Sequence, residues 1–202
     1  DKPGIDIFIK DGTKNESMHI PVVIEKPGHS EMVYNDFFIG ENCDVVIIAG
    51  CGISNCSDQE SRHDGIHSFF VGKNSKVKYL EKHYGEGDGT GGRVMNPTTV
   101  VELAADAHMT LDTVQIKGVD NTKRVTTAKL EENATLIVTE KLMTHGEQFA
   151  QTEFVVDLNG ENSSTNVVSR SVAKERSKQV FLARINGNNA CTGHSECDAI
   201  IM

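Results

Sequence analysis

The sequence predicts an all-β chain that coils as a β-solenoid, with rungs of about 30 residues that each contribute two strands. Three observations lead to this prediction. A short motif recurs at near-constant spacing, apolar and polar residues alternate beside its copies, and aromatic residues make up only 5% of the chain, with no Trp. A core with so few rings must be built from Val, Ile, Leu and Thr, which favours β structure.

The recurring motif is an apolar residue, two spacers, Asn or Asp, two spacers and a second apolar residue. Its Asn or Asp stands at positions 42, 74, 106, 133, 162 and 188, at intervals of 32, 32, 27, 29 and 26 residues. The copy at 162 is one residue longer than the others. Because Asn and Asp tolerate the left-handed backbone conformation, each copy predicts a tight turn between strands. We expect six side chains to line up near one edge of the molecule: Asn42, Asn74, Asp106, Asn133, Asn162 and Asn188.

Alternation with a period of two predicts which side chains face the core. Met109 and Leu111 share one face of their strand, whereas His108 and Asp112 share the other. The same reasoning places an apolar group inside: Val45, Val77, Met109, Leu111, Leu136 and Val138. It places a polar group outside: Lys76, Lys78, His108 and Asp112.

A unit of two strands cannot bury its apolar face alone, so the units must stack and pair with equivalent strands of their neighbours. This arrangement is a parallel β-helix. A β-sandwich is the alternative fold, but it does not require an Asn or Asp turn at near-constant spacing. We expect residues 1–33 to be a partial rung or an N-terminal cover, and residues 34–202 to be the β-helix core. That core is expected to be truncated at its C-terminal end, since no turn or polar cap follows the closing A-I-I-M.

Composition narrows the function classes. The net charge is −9 and no basic run is present, which argues against nucleic-acid binding. No apolar run approaches the roughly 18 residues of a membrane span, and the N-terminus carries no signal-peptide pattern. Five Cys is an odd count without the spacing of a disulfide framework, which predicts a reducing, cytoplasmic compartment.

The closing stretch Ala190–Met202, A-C-T-G-H-S-E-C-D-A-I-I-M, concentrates two thiols, an imidazole and two carboxylates. These are groups that bind iron and zinc. The candidate ligands are Cys197, Cys191, His194 and Glu196, with Cys197 the best metal ligand and His194 the second. The alternative is that both Cys are small core residues and that His194 is merely exposed in a turn. The spacing C-x2-H-x2-C matches no standard zinc-finger framework.

Other candidate metal ligands and catalytic residues have weaker support in the sequence. Cys51 and Cys56 form a lone pair after Cys43, whereas a cluster site usually takes four ligands. His63 and His67 are four residues apart, which would place them on one face of a helix, but the sequence H-S-F-F-V from His67 onward is strand-like. The spacing therefore does not predict a zinc site. No Ser–His–Asp signature or strongly paired carboxylates are present for hydrolysis, so the chain is not expected to be an enzyme.

Three segments resemble the SufB/SufD family of iron–sulfur cluster assembly proteins. They are I-G-E-N-C-D-V-V-I-I-A-G-C at Ile39–Cys51, the run G-R-V-M-N-P-T, and the closing S-E-C-D-A-I-I-M at Ser195–Met202. The likeness covers roughly Tyr34 to Met202 and implies a right-handed parallel β-helix. It also implies that Cys197 falls on the functional cysteine of the family, a ligand for the cluster or for sulfur.

The resemblance further implies a scaffold that holds an iron–sulfur cluster transiently. Family members pair with a second SufB/SufD-like chain, here expected to be a homodimer, and with a SufC-like P-loop ATPase. The ATPase docks on a helical segment beyond the last strand of this sequence. Two alternatives remain open: a structural dimerisation partner that binds no cluster, and a β-helix enzyme acting on carbohydrates. The second would need carboxylates and aromatic platforms on one outer face, which the low aromatic content disfavours.

Overall fold

The computed structural model describes residues 3–202, and in this range the chain forms strands and turns without a helix. None of the described residues could therefore cross a membrane as a helix. The strands are β1 (Gly4–Ile9), β2 (Lys14–Ile24), β3 (Ser30–Ile39), β4 (Asp44–Ser54), β5 (Ser61–Val71), β6 (Lys76–Glu86), β7 (Arg93–Met95), β8 (Thr98–Leu103), β9 (His108–Lys117), β10 (Asn121–Leu130), β11 (Thr135–Thr144), β12 (Phe149–Leu158), β13 (Ser164–Ala173), β14 (Lys178–Gly187) and β15 (Thr192–Ile201).

The strands form two parallel sheets, and the chain passes from one sheet to the other at every turn. The first sheet has the order β1-β3-β5-β7-β10-β12-β14, and β8 shares the position of β7 between β5 and β10. The second has the order β2-β4-β6-β9-β11-β13-β15. Each rung gives one strand position to each sheet. The solenoid has about seven turns, and equivalent positions on successive rungs are about 29 residues apart in the sequence. The predicted parallel β-solenoid is confirmed.

Parallel pairing in a constant register stacks equivalent residues into columns inside the solenoid. Val77 pairs with Met109, Met109 with Leu136, and Leu136 with Thr165. The six residues predicted to face the core are all buried. Of the four predicted to face outward, Asp112 is half-buried and Lys76, Lys78 and His108 are exposed. The alternation therefore assigned the faces correctly.

One corner of the solenoid carries a ladder of polar turns. Five of the predicted Asn and Asp residues have φ between 56° and 61°, in the left-handed region. Amide groups link successive rungs, since Asn74 Nδ2 donates to Asn42 Oδ1 (2.8 Å) and Asn133 Nδ2 donates to Asp106 Oδ1 (3.0 Å). The prediction that these turns share an edge is confirmed for Asn42, Asn74, Asp106, Asn133 and Asn162.

The prediction is wrong for Asn188. Because Ser164 pairs with Thr192, the residue in register with Asn162 is Ala190. Asn188 lies two residues earlier, and its amide donates to Asn159 Oδ1 (2.8 Å) outside the ladder. The last turn contains an Asn pair, so spacing counted on Asn placed the final copy of the motif two residues early.

The core can be tested at its fully buried centre. Leu136 is 0% exposed, so Leu136→Ala should lower the free energy of unfolding by about 2–5 kcal/mol by opening a cavity. Chemical denaturation measures this change. Ile137→Ala is the matched control, because Ile137 is the next residue on the same strand and is 42% exposed; it should cost well under half as much. Equal effects of the two substitutions would contradict the face assignment.

Candidate functional site

The C-terminal rung ends both sheets of the described chain. β14 and β15 are the last strands of the two sheet orders, and β15 pairs with β13 on one side. Large apolar side chains are exposed here: Ile200 at 59%, Ile201 at 84% and Met202 at 70%. The rung therefore presents a strand edge and apolar surface around the predicted ligands.

Cys197 lies on the inner face of β15. It pairs with Ser169 of β13, which is buried and donates a hydrogen bond to Glu140 one rung further in (2.6 Å). The thiol itself is exposed, since no strand of residues 3–202 lies beyond β15. Its partial burial raises the pKa of Cys197, and so do the carboxylates of Glu140 and Asp198. The thiol thus ends a polar column that continues into the interior.

Cys191 has a structural environment. The register of β13 and β15 places it level with Ser163, the buried small residue that follows Asn162 in the ladder. It is half-buried and packs against the hydrophobic core. Its Sγ also lies 3.1 Å from the position that a Cβ on Gly187 would take. Cys191 therefore fills the corner of the last rung and faces the interior, as Cys197 does.

His194 and Glu196 lie on the outer face of β15. His194 Nε2 and Glu196 Oε2 are 3.4 Å apart, and the His194 side chain is 59% exposed. Strand alternation separates this pair from Cys197, which points inward. Across residues 3–202, no three His, Cys, Asp or Glu side chains converge in an arrangement that could hold a metal ion. One copy of the closing stretch thus offers its four candidate ligands on two sides of a strand.

A buried ion pair crosses the interior between the two sheets. Arg124 of β10 donates a hydrogen bond through Nη1 to Glu81 Oε2 of β6. The Nη2 group of Arg124 also donates to His83 Nδ1 (3.0 Å). These three side chains are at most 4% exposed. Charges held this far from water are tolerated only when each is paired and hydrogen-bonded, as they are here.

Glu140 of β11 extends the ion pair toward the C-terminal rung. Its Oε1 accepts a hydrogen bond from Thr152 Oγ1 (2.7 Å) and lies 3.6 Å from Arg124 Nε. Its Oε2 accepts the hydrogen bond from Ser169. The guanidinium thus lies between two carboxylates. We refer to the buried group Glu81, His83, Arg124 and Glu140 as the interior network.

A chain of hydrogen bonds reaches the same network from the N-terminal rungs. The Ile5 N–H donates to Asn35 Oδ1 (3.3 Å), which leaves Asn35 Nδ2 to donate to His67 Nε2 (3.2 Å). Nδ1 of His67 therefore carries the proton and donates to Tyr79 Oη (2.6 Å). The Tyr79 hydroxyl donates in turn to Glu81 Oε1 (2.9 Å). The tautomer of His67 follows from this order of donors.

The interior network was not predicted from the sequence, although a signal for it exists. Glu81 and His83 follow Val77 and Tyr79 at intervals of two, and Glu140 follows Val138 in the same way. Because they lie at even intervals from these buried residues, they are on the same, inner face of their strands. The alternation is most informative where it places a charged residue at an inward position.

Burial and pairing shift the pKa values of the network in known directions. Burial alone would raise the pKa of Glu81, but His83, Arg124 and His67 around it lower that pKa to about 2. Burial lowers the pKa of His83 to about 3 despite the opposing charge of Glu81. Burial also lowers the pKa of His67. At neutral pH the folded protein therefore holds an ionised Glu81 beside two neutral imidazoles.

The lowered pKa of His83 predicts an acid-sensitive fold. An unfolded His83 binds its proton near pH 6.5, whereas the folded one does so near pH 3. The unfolded state binds more protons across this window. The contribution of neutral His83 to the free energy of unfolding is therefore fully present above pH 6.5 and is lost as the pH drops toward 3. His83→Gln keeps an acceptor for Arg124 and removes this titration. Urea unfolding from pH 7 to 4 should show a flatter slope for the variant, by up to about 1.4 kcal/mol per pH unit.

The matched control for this prediction is His108→Gln. His108 is exposed on the outer face of β9, so its substitution should leave the pH dependence of the free energy of unfolding unchanged. A wild-type slope in the His83→Gln variant would show that His83 is not held neutral by the fold.

Comparison with known proteins agrees with this architecture. Residues 24–202 match the family model described as SUF system FeS cluster assembly, SufBD core domain. An iron–sulfur cluster assembly SufBD family protein of Methanocaldococcus jannaschii is 26% identical over 201 residues, which cover 96% of this chain and 61% of that protein. A SufBD family protein of Archaeoglobus fulgidus is 25% identical over 178 residues, which cover 88% of this chain and 46% of that protein.

The chain thus spans about half to three fifths of the length of these two relatives. The predicted resemblance rests on three short segments, and all three lie within the matched range: Ile39–Cys51, residues 92–98 and Ser195–Met202. Since the family model covers far more than half of the sequence, the chain belongs to the SufBD core family of iron–sulfur cluster assembly proteins.

Proposed function

We propose that this chain is a scaffold on which an iron–sulfur cluster is assembled and held transiently, with Cys197 as its thiolate ligand. The observation that carries the proposal is the position of Cys197 on the inner face of β15, aligned with Ser169 and Glu140 of the two preceding rungs. A scaffold needs a soft ligand on a support that does not move when the cluster is built or released. Parallel strands paired on successive rungs provide that support.

The cluster ligands are proposed to come from two chains. Iron–sulfur clusters are usually held by four ligands, mostly thiolates. One copy of β15 presents Cys197 inward and His194 with Glu196 outward, so it does not complete a ligand set by itself. Pairing two SufB/SufD-like chains through the β14–β15 end would place two copies of Cys197 near one symmetry axis. A homodimer with an isologous interface is the simplest form of this pairing.

Family membership supports a proposal about further partners. We propose that a SufC-like P-loop ATPase acts with this protein through a region beyond the described residues. In this scheme the chain itself turns over no substrate, and the ATPase supplies the energy for cluster assembly. A cytoplasmic location fits five cysteines that are all free thiols.

The interior network does not supply the carboxylates of a carbohydrate-active enzyme. Such an enzyme needs carboxylates on a surface that a polysaccharide can reach. Glu81 and Glu140 instead point inside and are held by Arg124, Thr152 and Ser169. A purely structural partner remains the second candidate, favoured by the apolar edge of β15, and cluster loading separates it from a scaffold.

Cluster loading tests the proposed ligand. Cys197→Ser is nearly isosteric and replaces a soft thiolate with a poor ligand for iron. After anaerobic reconstitution with ferrous iron and sulfide, the variant should lose most of the cluster absorbance. Its circular dichroism should match that of the wild type, because Cys197 is exposed and supports no core packing.

Cys56→Ser is the matched control for this experiment. Cys56 is also an exposed free thiol, but it follows β4 in a loop far along the chain from β15. It should load as the wild type does. Full loading of Cys197→Ser would remove this residue from the site and leave the structural partner as the better description.

Self-association tests the proposed pairing. Sedimentation at roughly 50 µM should show a dimer, well above the Kd of about 1 µM expected for an association of about −8 kcal/mol. Ile201→Asp should shift the protein to a monomer by placing a charge on the exposed edge of β15. Ile137→Asp, which alters an exposed residue in the middle of the second sheet, should not. A wild-type monomer at this concentration would contradict the pairing.

A further inference from the structure

His63 presents a buried ring nitrogen that no described residue satisfies. Its Nδ1 lies 2.8 Å from Glu31 Oε1, so Nδ1 carries the proton and donates to the carboxylate. The Nε2 atom is left with its lone pair. His63 is 3% exposed, and Nε2 has no hydrogen-bond partner among residues 3–202. Leaving a buried acceptor unsatisfied costs free energy, so this nitrogen needs a partner from outside the chain, a water molecule or a metal ion.

His67 offers a second lone pair on the same inner face of β5. The order of donors described above places the proton of His67 on Nδ1, so Nε2 is the acceptor. This lone pair accepts a hydrogen bond from the Asn35 amide at 3.2 Å, a neutral donor that a metal ion would displace. His67 is 4% exposed, and burial lowers its pKa, which keeps the imidazole neutral.

Gly65, between the two histidines, leaves room for both rings to converge. A Cβ at Gly65 would have His63 Nε2 at 3.2 Å and His67 Nε2 at 3.6 Å as its two nearest neighbours. The φ of Gly65 is not in the left-handed region, so the backbone conformation of β5 does not require glycine here. The absent side chain instead leaves a space bordered by two imidazole lone pairs.

The surroundings of these rings resemble the outer shell of a metal centre. A histidine that binds a metal usually donates its other N–H to a carboxylate, as His63 does to Glu31. Glu31 is itself half-exposed and lies 3.4 Å from His29 Nε2, so a polar path leads from the surface to His63. The Glu81 carboxylate lies 3.8 Å from His67 Nδ1. Each ring therefore has a carboxylate behind it.

We propose that His63 and His67 bind a divalent first-row transition-metal ion through their Nε2 atoms above Gly65. Neutral imidazole is a ligand of choice for zinc, iron, cobalt and nickel. Metal–nitrogen bonds are about 2.1 Å long, so the two Nε2 atoms must come within about 4 Å of each other as the ion enters, and water completes the coordination. Residues 3–202 hold no preformed group of three such ligands, so the protein would supply two ligands, His63 and His67.

The proposal is independent of cluster assembly and can be tested without it. Cys191→Ser and Cys197→Ser together remove the thiols of the C-terminal rung, and this double variant is the background for all measurements. Cobalt(II) is the probe, because its visible absorption reports nitrogen coordination. Anaerobic equilibrium dialysis with metal analysis gives the affinity and the number of ions per chain. We expect a high-affinity ion bound by the background protein.

Two substitutions act on the site itself. His63→Gln removes a ligand, and Gly65→Ala fills the space between the rings; each should weaken cobalt binding by at least the 10–100-fold typical of losing an outer-shell partner. Glu31→Gln should weaken it within that range. His108→Gln and Gly50→Ala are the matched controls. His108 is exposed, and a Cβ at Gly50 would meet nothing within 4 Å.

The cobalt affinities of these variants support or overturn the proposed metal site. Unchanged cobalt affinity in Gly65→Ala, or affinity lost equally in the controls, would overturn the proposal. Circular dichroism shows whether each variant folds. Should the His63 and Gly65 variants both fail to fold, anomalous scattering from a cobalt-soaked crystal of the background protein gives the answer. A peak between the two Nε2 atoms supports the site, and ordered water there without a peak overturns it.

Discussion

Constant register between rungs is the constraint on which this structure depends. A parallel strand that slips by one residue exchanges its inward and outward faces. The slip would move Leu136 out of the core and bring the neighbouring Ile137 in. The left-handed turns at Asn74 and Asn133, bonded to the rungs before them, hold the corner at one place on every turn. Everything inside the solenoid follows from this alignment.

Register also explains how charges can lie inside so narrow a core. Arg124 on the first sheet faces Glu81 and Glu140 on the second, although 43 residues separate Arg124 from Glu81. Removing one member of a buried pair leaves an unpaired charge and typically costs about 3–5 kcal/mol. Replacing the whole network with apolar residues need not cost anything. The network therefore joins β10 of the first sheet to β6 and β11 of the second, and its burial is not by itself evidence that it stabilises the fold.

The sequence predicted the features that repeat and missed those that occur once. Spacing and alternation predicted the solenoid, the turn ladder and the buried face, because the pattern behind each feature recurs on several rungs. Asn188 was misplaced because Ala190 holds the ladder position of the last turn, so a search for Asn or Asp settles on an earlier Asn instead. The pairing of Arg124 with Glu81 could not be derived at all, since it depends on how far apart the two sheets stand. Alternation along β15 places Cys197, Ala199 and Ile201 on one face, but it does not tell whether a further rung covers them.

The convergence of His63 and His67 shows why the interpretation of a spacing depends on the element that carries it. On a helix, residues four apart meet because the period is 3.6 residues. On a strand they are separated by about 13 Å of backbone, at about 3.3 Å per residue, and both point the same way. They can lean together only if the residue between them on that face lacks a side chain. The signal in a strand is therefore not H-x3-H alone but H-x-G-x-H, which this chain carries as His63-Asp64-Gly65-Ile66-His67. The glycine, rather than the histidine spacing, makes two distant imidazoles neighbours.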